Sequence, residues 1–291
     1  MSLMNIHKGW TASGVAAART VHRLYDSPVI FDDDAAIHLL SPAERYLCQS
    51  KLVFRLLLQR SIREFRPYIF HSFSCQRYAE EQLLRAIGQH KSQYVILGAG
   101  FDSFALRRPD LESRVRIFEV DHPQSQQFKQ KRIARSPYPV PGNLVFVPVD
   151  FEQETLLDGL ERSRFDFSQP AFCSWMGTVM YLTQEAVLAT LEAMASLAPG
   201  SELVFNYASP HGALSNADRE MVKDLETTLR HGSASMNAKF LPTELAEKAS
   251  GLGFDIRAQL DSGDLDERYL AGWEGLRTIP FGHLLHLQVR G

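Results

Sequence analysis

Two glycines and two carboxylates at matched spacing are the residues of this chain best suited to chemistry. Gly98-Ala99-Gly100 is followed by Asp102 and Ser103, and Glu119 and Asp121 come later. Gly98 to Glu119 and Gly100 to Asp121 are each 21 residues apart. Glycine lets a backbone approach a ligand that a side chain would block. An acid about 20 positions after such a turn accepts the ribose hydroxyls in doubly wound α/β proteins. Glu119 and Asp121 lie two positions apart at the end of a strand, and only one of them is expected to reach the sugar. The competing reading is a solvated strand end, or an ion pair with Arg114 or Arg116.

The ligand need not be a dinucleotide. A third glycine, which lets helix and strand pack closely in dinucleotide folds, is replaced by Ser103. Asp102 at the helix start would repel a pyrophosphate, whereas a helix N-terminus otherwise favours one. An ammonium and a sulfonium tolerate that carboxylate, so S-adenosylmethionine fits better than NAD. Asp150-Phe151 suits adenine: the carboxylate can accept from the exocyclic amine and the ring can pack on the base. Asp150 could equally cap the turn that follows. His122 could brace Asp121, contact adenine or cap a helix.

These residues need a strand–turn–helix frame. Tyr94–Leu97 reads as a buried strand and Phe104-Ala105-Leu106 as a helix start. Further strands are expected at 115–120, 144–149, 171–175, 202–206, from 253 and at 281–289, with helices between the first five. That rhythm predicts βαβ units and a seven-stranded, mostly parallel sheet. Before it, residues 1–90 read as a helical N-terminal cap, forming either a lid or the back of the sheet. Ser41-Pro42-Ala43-Glu44 is a capping box with proline at the first helical position, opening a helix that should end near Arg66-Pro67. A further helix is expected through Gln76 to Gly88, after Ser72 or Ser74. Residues 91–291 form the ligand-binding domain, with a helical insertion at about 207–240 that includes a helix from His211 to His231.

Composition narrows the partners. The chain has 291 residues, 45% of them hydrophobic, and a net charge of -3. An acidic balance does not suit binding to a phosphate backbone. No apolar run is long enough to span a membrane, and residues 1–10 lack the apolar core of a secretion signal. Three scattered cysteines and ten histidines without paired spacing predict neither a disulfide framework nor a metal site. The expectation is a cytoplasmic monomer or homodimer acting on a small-molecule methyl acceptor, with no nucleic-acid or membrane partner.

Gly98-Ala-Gly-Phe-Asp-Ser103, Phe118-Glu-Val-Asp-His-Pro123 with Lys129, Val149-Asp150 and Met180-Tyr-Leu-Thr183 together resemble the leucine carboxyl methyltransferase family. Ala17-Ala-Ala-Arg-Thr20 and Phe31-Asp-Asp-Asp-Ala35 are similar to its bacterial O-methyltransferase branch. The resemblance implies a class I, Rossmann-like methyltransferase fold with S-adenosylmethionine as cofactor. It implies that Gly98, Ala99, Gly100 and Asp102 line the methionine part, that Asp121, with Glu119 and His122 beside it, holds the ribose, and that Asp150 and Phe151 meet adenine. Basic residues of the N-terminal helices bind the cofactor carboxylate in that family, and Arg77 and then Arg19 are the matches here. Met176 stands where the family often has a cofactor-contacting glutamate, five residues before Tyr181, and Gly177 beside it can bring backbone close.

Methyl transfer is an in-line displacement at the sulfonium carbon, so alignment and a closed apolar site supply most of the catalysis. A carboxylate acceptor needs no base, whereas a hydroxyl gains from one. Tyr181 and His211 are the candidate catalytic residues, with Asn206 and Tyr207 as further polar groups near the site. Tyr181 also reads as a packed aromatic with a satisfied hydroxyl. O-methylation of a carboxyl or hydroxyl group on a small metabolite is the expected function. The alternatives are an NAD-dependent oxidoreductase and a non-catalytic methyltransferase-like binding protein.

Overall fold

The computed structural model describes the backbone of residues 3–53, 59–150, 153–210, 214, 218–219 and 236–291, and side chains over the same residues except 3–11, 53 and 59–64. The expected helix from His211 to His231, and with it most of the expected insertion, lies outside the described residues.

Seven strands form one sheet in the order β3-β2-β1-β4-β5-β7-β6. They are β1 (Gln93–Leu97), β2 (Arg116–Asp121), β3 (Leu144–Pro148), β4 (Phe172–Trp175), β5 (Glu202–Ala208), β6 (Phe254–Leu260) and β7 (Gly282–Val289). The first five run parallel, and β7 is antiparallel to both β5 and β6. Tyr94 of β1 pairs with Ile117 on one side and Phe172 on the other. Strand order reverses beside β1, and in open α/β sheets ligands bind outside the strand C-termini at such a switch point. All five residues of β1 are buried, as expected of a parallel strand covered on both faces.

The alternation of side chains divides the core in two. Val95 and Leu97 face a cluster with Phe118, Val120, Val187 and Leu191. Tyr94 and Ile96 face the opposite cluster with Phe70, Phe73, Ala79 and Leu83. The first layer includes α8 (Leu156–Glu161) and α9 (Gln184–Ala195), and the second is built on α5 (Gln59–Gly88), which the single turn α4 (Lys51–Val53) precedes.

Helix α5 corrects one expectation: it runs through Pro67 instead of ending there. A proline inside a helix removes one backbone hydrogen bond and costs about 3 kcal/mol. Burial of Phe70, Phe73, Tyr78 and Leu83 on one face outweighs that, at roughly 1.5–3 kcal/mol per large apolar side chain. The capping box at Ser41 and Glu44 does open a helix, α3 (Pro42–Gln49), but it stops after eight residues.

The helical N-terminal segment divides between two places. Helix α5 packs the sheet face. By contrast α1 (Leu3–Tyr25), α2 (Ala36–Leu39) and α3 gather around Phe101, Leu106 and Ile133, just beyond the C-terminal edge of β1 and β2.

Candidate functional site

The glycine turn is held from three directions. Gly98 and Ala99 donate to the Val120 carbonyl of β2, at 2.8 and 3.2 Å. Gly98 has φ +64° and Gly100 has φ +48°, the left-handed region that side chains disfavour. A Cβ on Gly98 would lie 2.5 Å from the Thr178 methyl, so the turn is pressed against the loop after β4. Above it, Ala12 of α1 would stand 3.6 Å from a Cβ on Gly100.

Asp121 closes the geometry. One carboxylate oxygen accepts from the Gly100 N–H at 2.5 Å, the other from the His122 N–H at 2.6 Å. A carboxylate has about four acceptor sites, so each oxygen keeps capacity for a ribose hydroxyl. Asp121 is half-buried at the strand end. His122 caps α7 (Pro123–Ile133): its Nδ1 accepts from the Gln124 N–H at 3.2 Å. Its Nε2 is therefore the protonated nitrogen, 3.9 Å from an Asp150 oxygen. The 21-residue spacing thus brings Gly98, Gly100, Asp121, His122 and Asp150 to one edge. Phe151 lies outside the described residues.

Glu119 does not join them. It is 1% exposed and takes Lys129 Nζ at 2.6 Å beneath α7. Burial pushes its pKa up to about 7, against the pull of Lys129. The two carboxylates stand two apart on the same face of β2, but α7 and Lys129 cover Glu119, whereas Asp121 is the last residue of the strand.

Asp102 accepts from the Phe104 N–H at 2.8 Å, capping the short helix α6 (Phe104–Arg107), and from Gln76 of α5 at 3.3 Å. Gln76, one position from Arg77, is thus the α5 side chain that meets the turn. Arg77 points elsewhere: its guanidinium lies over the Tyr269 ring and bonds Glu81 and the Ile30 carbonyl. One residue along a helix is a rotation of about 100°, enough to move a side chain to another face. Arg19 does reach the turn, but its guanidinium is engaged by the chain itself. It donates to Asp33 at 2.7 Å and to the Phe101 carbonyl at 2.6 Å.

After β4, Met176 packs against the α5-side core. Gly177 has φ +69°, and a Cβ there would meet nothing within 4 Å, so its backbone faces open space. Asn206 of β5 fixes it by accepting the Gly177 N–H at 2.8 Å. Tyr207 faces away, into the α9-side core, with its ring stacked on His283. The Tyr181 hydroxyl pairs with that of Tyr68 at 2.9 Å. Burial raises the pKa of both phenols, so both carry their protons at neutral pH. His211 lies outside the described residues. Among the described residues no group of three His, Cys, Asp or Glu side chains could hold a metal ion.

Comparison with known proteins decides what kind of turn this is. The leucine carboxyl methyltransferase profile matches residues 12–195, more than half of the chain. The chain belongs to the leucine carboxyl methyltransferase family. The match begins in α1 and takes in the glycine turn, Asp121, Asp150 and Tyr181. Among relatives, a Bacillus subtilis (strain 168) protein named "Putative S-adenosyl-L-methionine-dependent methyltransferase YktD" is 28% identical over 93% of this chain and 94% of its own length. A Mycolicibacterium paratuberculosis protein of the same description is 30% identical over 95% of this chain and 86% of its own. In fold, the chain is similar to a DUF574 family protein from Streptomyces avermitilis, with TM-score 0.60 and 16% identity over 94% of this chain and 96% of that one. A methyltransferase-described structure from Thermobifida fusca gives TM-score 0.56 and 17% identity over 92% and 100%.

Three residues that carry this geometry were not singled out from sequence: Thr178 against Gly98, Gln76 on Asp102, and Asp33, which holds Arg19. Asp33 had a signal in the Asp32-Asp33-Asp34 run, read as a helix-capping turn.

Proposed function

We propose that this family member transfers a methyl group from S-adenosylmethionine to an oxygen, carboxyl or hydroxyl, of a small metabolite. The observation that carries the reading is Asp121, braced by Gly100 and His122 beside two left-handed glycines in a chain of this family. The cofactor supplies an electrophilic methyl on a sulfonium. Asp121 receives the ribose hydroxyls, and His122 and Asp150 flank the adenine. Gly98, Ala99 and Gly100 admit the methionine part, Asp102 is the carboxylate nearest its ammonium, and Gly177 beside Met176 lets backbone approach from the β4 side. Asp102 already accepts from Phe104 and Gln76, which fixes the direction of its carboxylate.

Tyr181 is the group we place against the acceptor, with Tyr68 bonded behind it. Two protonated phenols donate hydrogen bonds and do not remove protons, so they orient an acceptor oxygen. An acceptor that arrives ionised needs nothing more, and a hydroxyl acceptor would need a base such as His211. The acceptor is taken to be a small molecule rather than a nucleic acid or membrane. The test is release of S-adenosylhomocysteine when the protein, S-adenosylmethionine and a panel of carboxylic acids and phenols are mixed. Methyl esters or ethers are the expected products. Methyl transfer to nitrogen or sulfur alone would overturn the oxygen assignment, and cofactor binding without turnover on any acceptor would favour a binding protein.

A further inference from the structure

Beside the glycine turn lies a cluster of buried charges that the proposed chemistry does not use. Asp33, whose side chain is 0% exposed, sits at its centre. Its Oδ2 accepts from Arg19 Nη1 at 2.7 Å and Ser103 Oγ at 2.6 Å. Its Oδ1 accepts from the backbone N–H of Ala35 and Ala36 at 3.1 and 2.9 Å, with Arg107 Nε 3.4 Å away. Arg107 donates to Ser103 Oγ at 3.0 Å and is forked onto Glu80 of α5. Burial alone would raise the Asp33 pKa, but Arg19, Arg107 and Ser103 outweigh it and hold the carboxyl below its usual range. Two guanidiniums thus face two carboxyls, and burial raises the pKa of Glu80 against the pull of Arg107.

Such a cluster is a poor way to gain stability, because desolvation offsets most of the attraction between buried charges. Its geometry shows a different use. The ties end on the segment that leaves the glycine turn: Arg19 on the Phe101 carbonyl, Asp33 and Arg107 on Ser103. Gln76 on Asp102 adds a fourth, from the same helix as Glu80. Residues 101–103 are thereby fixed by α1, by the loop before α2 and by α5. Fixing them fixes Gly100, whose N–H orients Asp121.

We infer that Asp33 and Arg19 are positioning residues for the cofactor, and that α1 and the glycine turn are coupled through them. Neither needs to touch S-adenosylmethionine. They hold the carbonyl and hydroxyl that set the turn, so the N-terminal helix and the cofactor favour the same arrangement. Coupling of this kind is reciprocal: if α1 strengthens cofactor binding, the cofactor must steady α1.

The inference rests on S-adenosylmethionine binding at this turn, and the test separates the two. S-adenosylhomocysteine is titrated by calorimetry into the wild-type protein, Asp33→Asn and Glu202→Gln. The last variant alters a second buried ion cluster at the far edge of the sheet. Hydrogen exchange over residues 12–25 is followed with and without the ligand. The expected result is binding weakened by about tenfold or more in Asp33→Asn, as for loss of one charged hydrogen-bond partner, and within about twofold of wild type in Glu202→Gln. Ligand should slow exchange over residues 12–25 in the wild type and much less in Asp33→Asn. Should Asp33→Asn fail to fold, Ser103→Ala serves in its place, with an expected loss of about threefold. Equal affinities in the positioning variant and wild type, or equal losses in it and Glu202→Gln, would overturn the positioning role. Absence of binding to the wild type would instead overturn the cofactor assignment beneath it.

Discussion

Two buried ion clusters stand at opposite edges of the sheet and are wired differently. At the C-terminal edge, Asp33 joins Arg19, Arg107 and Ser103, and its ties end on backbone groups and on the turn that leaves β1. At the N-terminal edge, Glu202 at the start of β5 takes Lys91 Nζ at 2.6 Å and His286 Nε2 at 2.9 Å, and His286 bonds Tyr78. Those ties run between side chains: Lys91 just before β1, Glu202 at the start of β5, His286 within β7 and Tyr78 on α5. Both carboxyls are held below their usual range by their partners, against the effect of burial. The chemistry of the pairs is therefore similar. What differs is the backbone beside them: one cluster holds a left-handed glycine turn, and the other holds regular strand ends. A buried ion pair in this molecule says little about function until one asks which main-chain segment it immobilises.

The strongest way to break this contrast is at the turn itself. Gly98→Ala places a methyl 2.5 Å from the Thr178 methyl at φ +64° and should abolish S-adenosylhomocysteine binding by calorimetry, with a loss of stability of roughly 1–3 kcal/mol. Asp121→Ala comes next. It frees the Gly100 and His122 N–H groups and removes the ribose acceptor, so binding should weaken by about a hundredfold. Retention of wild-type affinity in either variant would show that the ligand sits elsewhere.

Smaller effects sharpen the comparison. Glu202→Gln should lower the melting temperature while leaving cofactor affinity alone. A loss of affinity there would mean that the far edge also governs the turn. Between the edges, His71 of α5 packs its ring against Gly282, and burial lowers its pKa to about 3. The unfolded chain protonates this imidazole near pH 6.5 and the folded chain does not, so stability falls as pH drops from 6.5 toward 3. The slope is at most about 1.4 kcal/mol per pH unit for one proton. His71→Leu should flatten that limb in urea titrations across the window, and an unchanged slope would assign it to other groups. The least effect is expected from Tyr68→Phe. It removes one hydroxyl behind Tyr181 and should cut kcat for the acceptor several-fold, as for about 1 kcal/mol, with S-adenosylhomocysteine affinity unchanged.

How much of this was legible in the chain follows from the range of the interactions. The strand at 94–97, the glycine turn and the acid 21 residues on are local or nearly so, and periodicity with spacing exposed them. The antiparallel direction of the last strand was not legible, because a connection that holds the helix Ser262–Tyr269 is long enough to serve either direction. Facing was less legible. Arg77 and Gln76 differ by one position, and only packing of α5 on the sheet decides that Gln76 meets Asp102. Glu119 and Asp121 have the same charge and neighbouring positions, but α7 covers one and leaves the other at the edge. Pro67 read as a stop because its local cost is real, whereas the buried face that outweighs it is tertiary. Asp33 was the least legible, since Asp32 on one side is exposed and pairs with Arg23 at the surface. Nothing in a run of three aspartates marks the middle one as buried.

In the proposed function, the turn after β1 together with Asp121 forms the S-adenosylmethionine site. Calorimetric titration of S-adenosylhomocysteine into the wild-type protein and Asp121→Ala tests it most directly. One site per chain, lost or weakened by about a hundredfold in the variant, is the predicted result. No heat at millimolar ligand with the wild type, or equal binding by the two proteins, would contradict it.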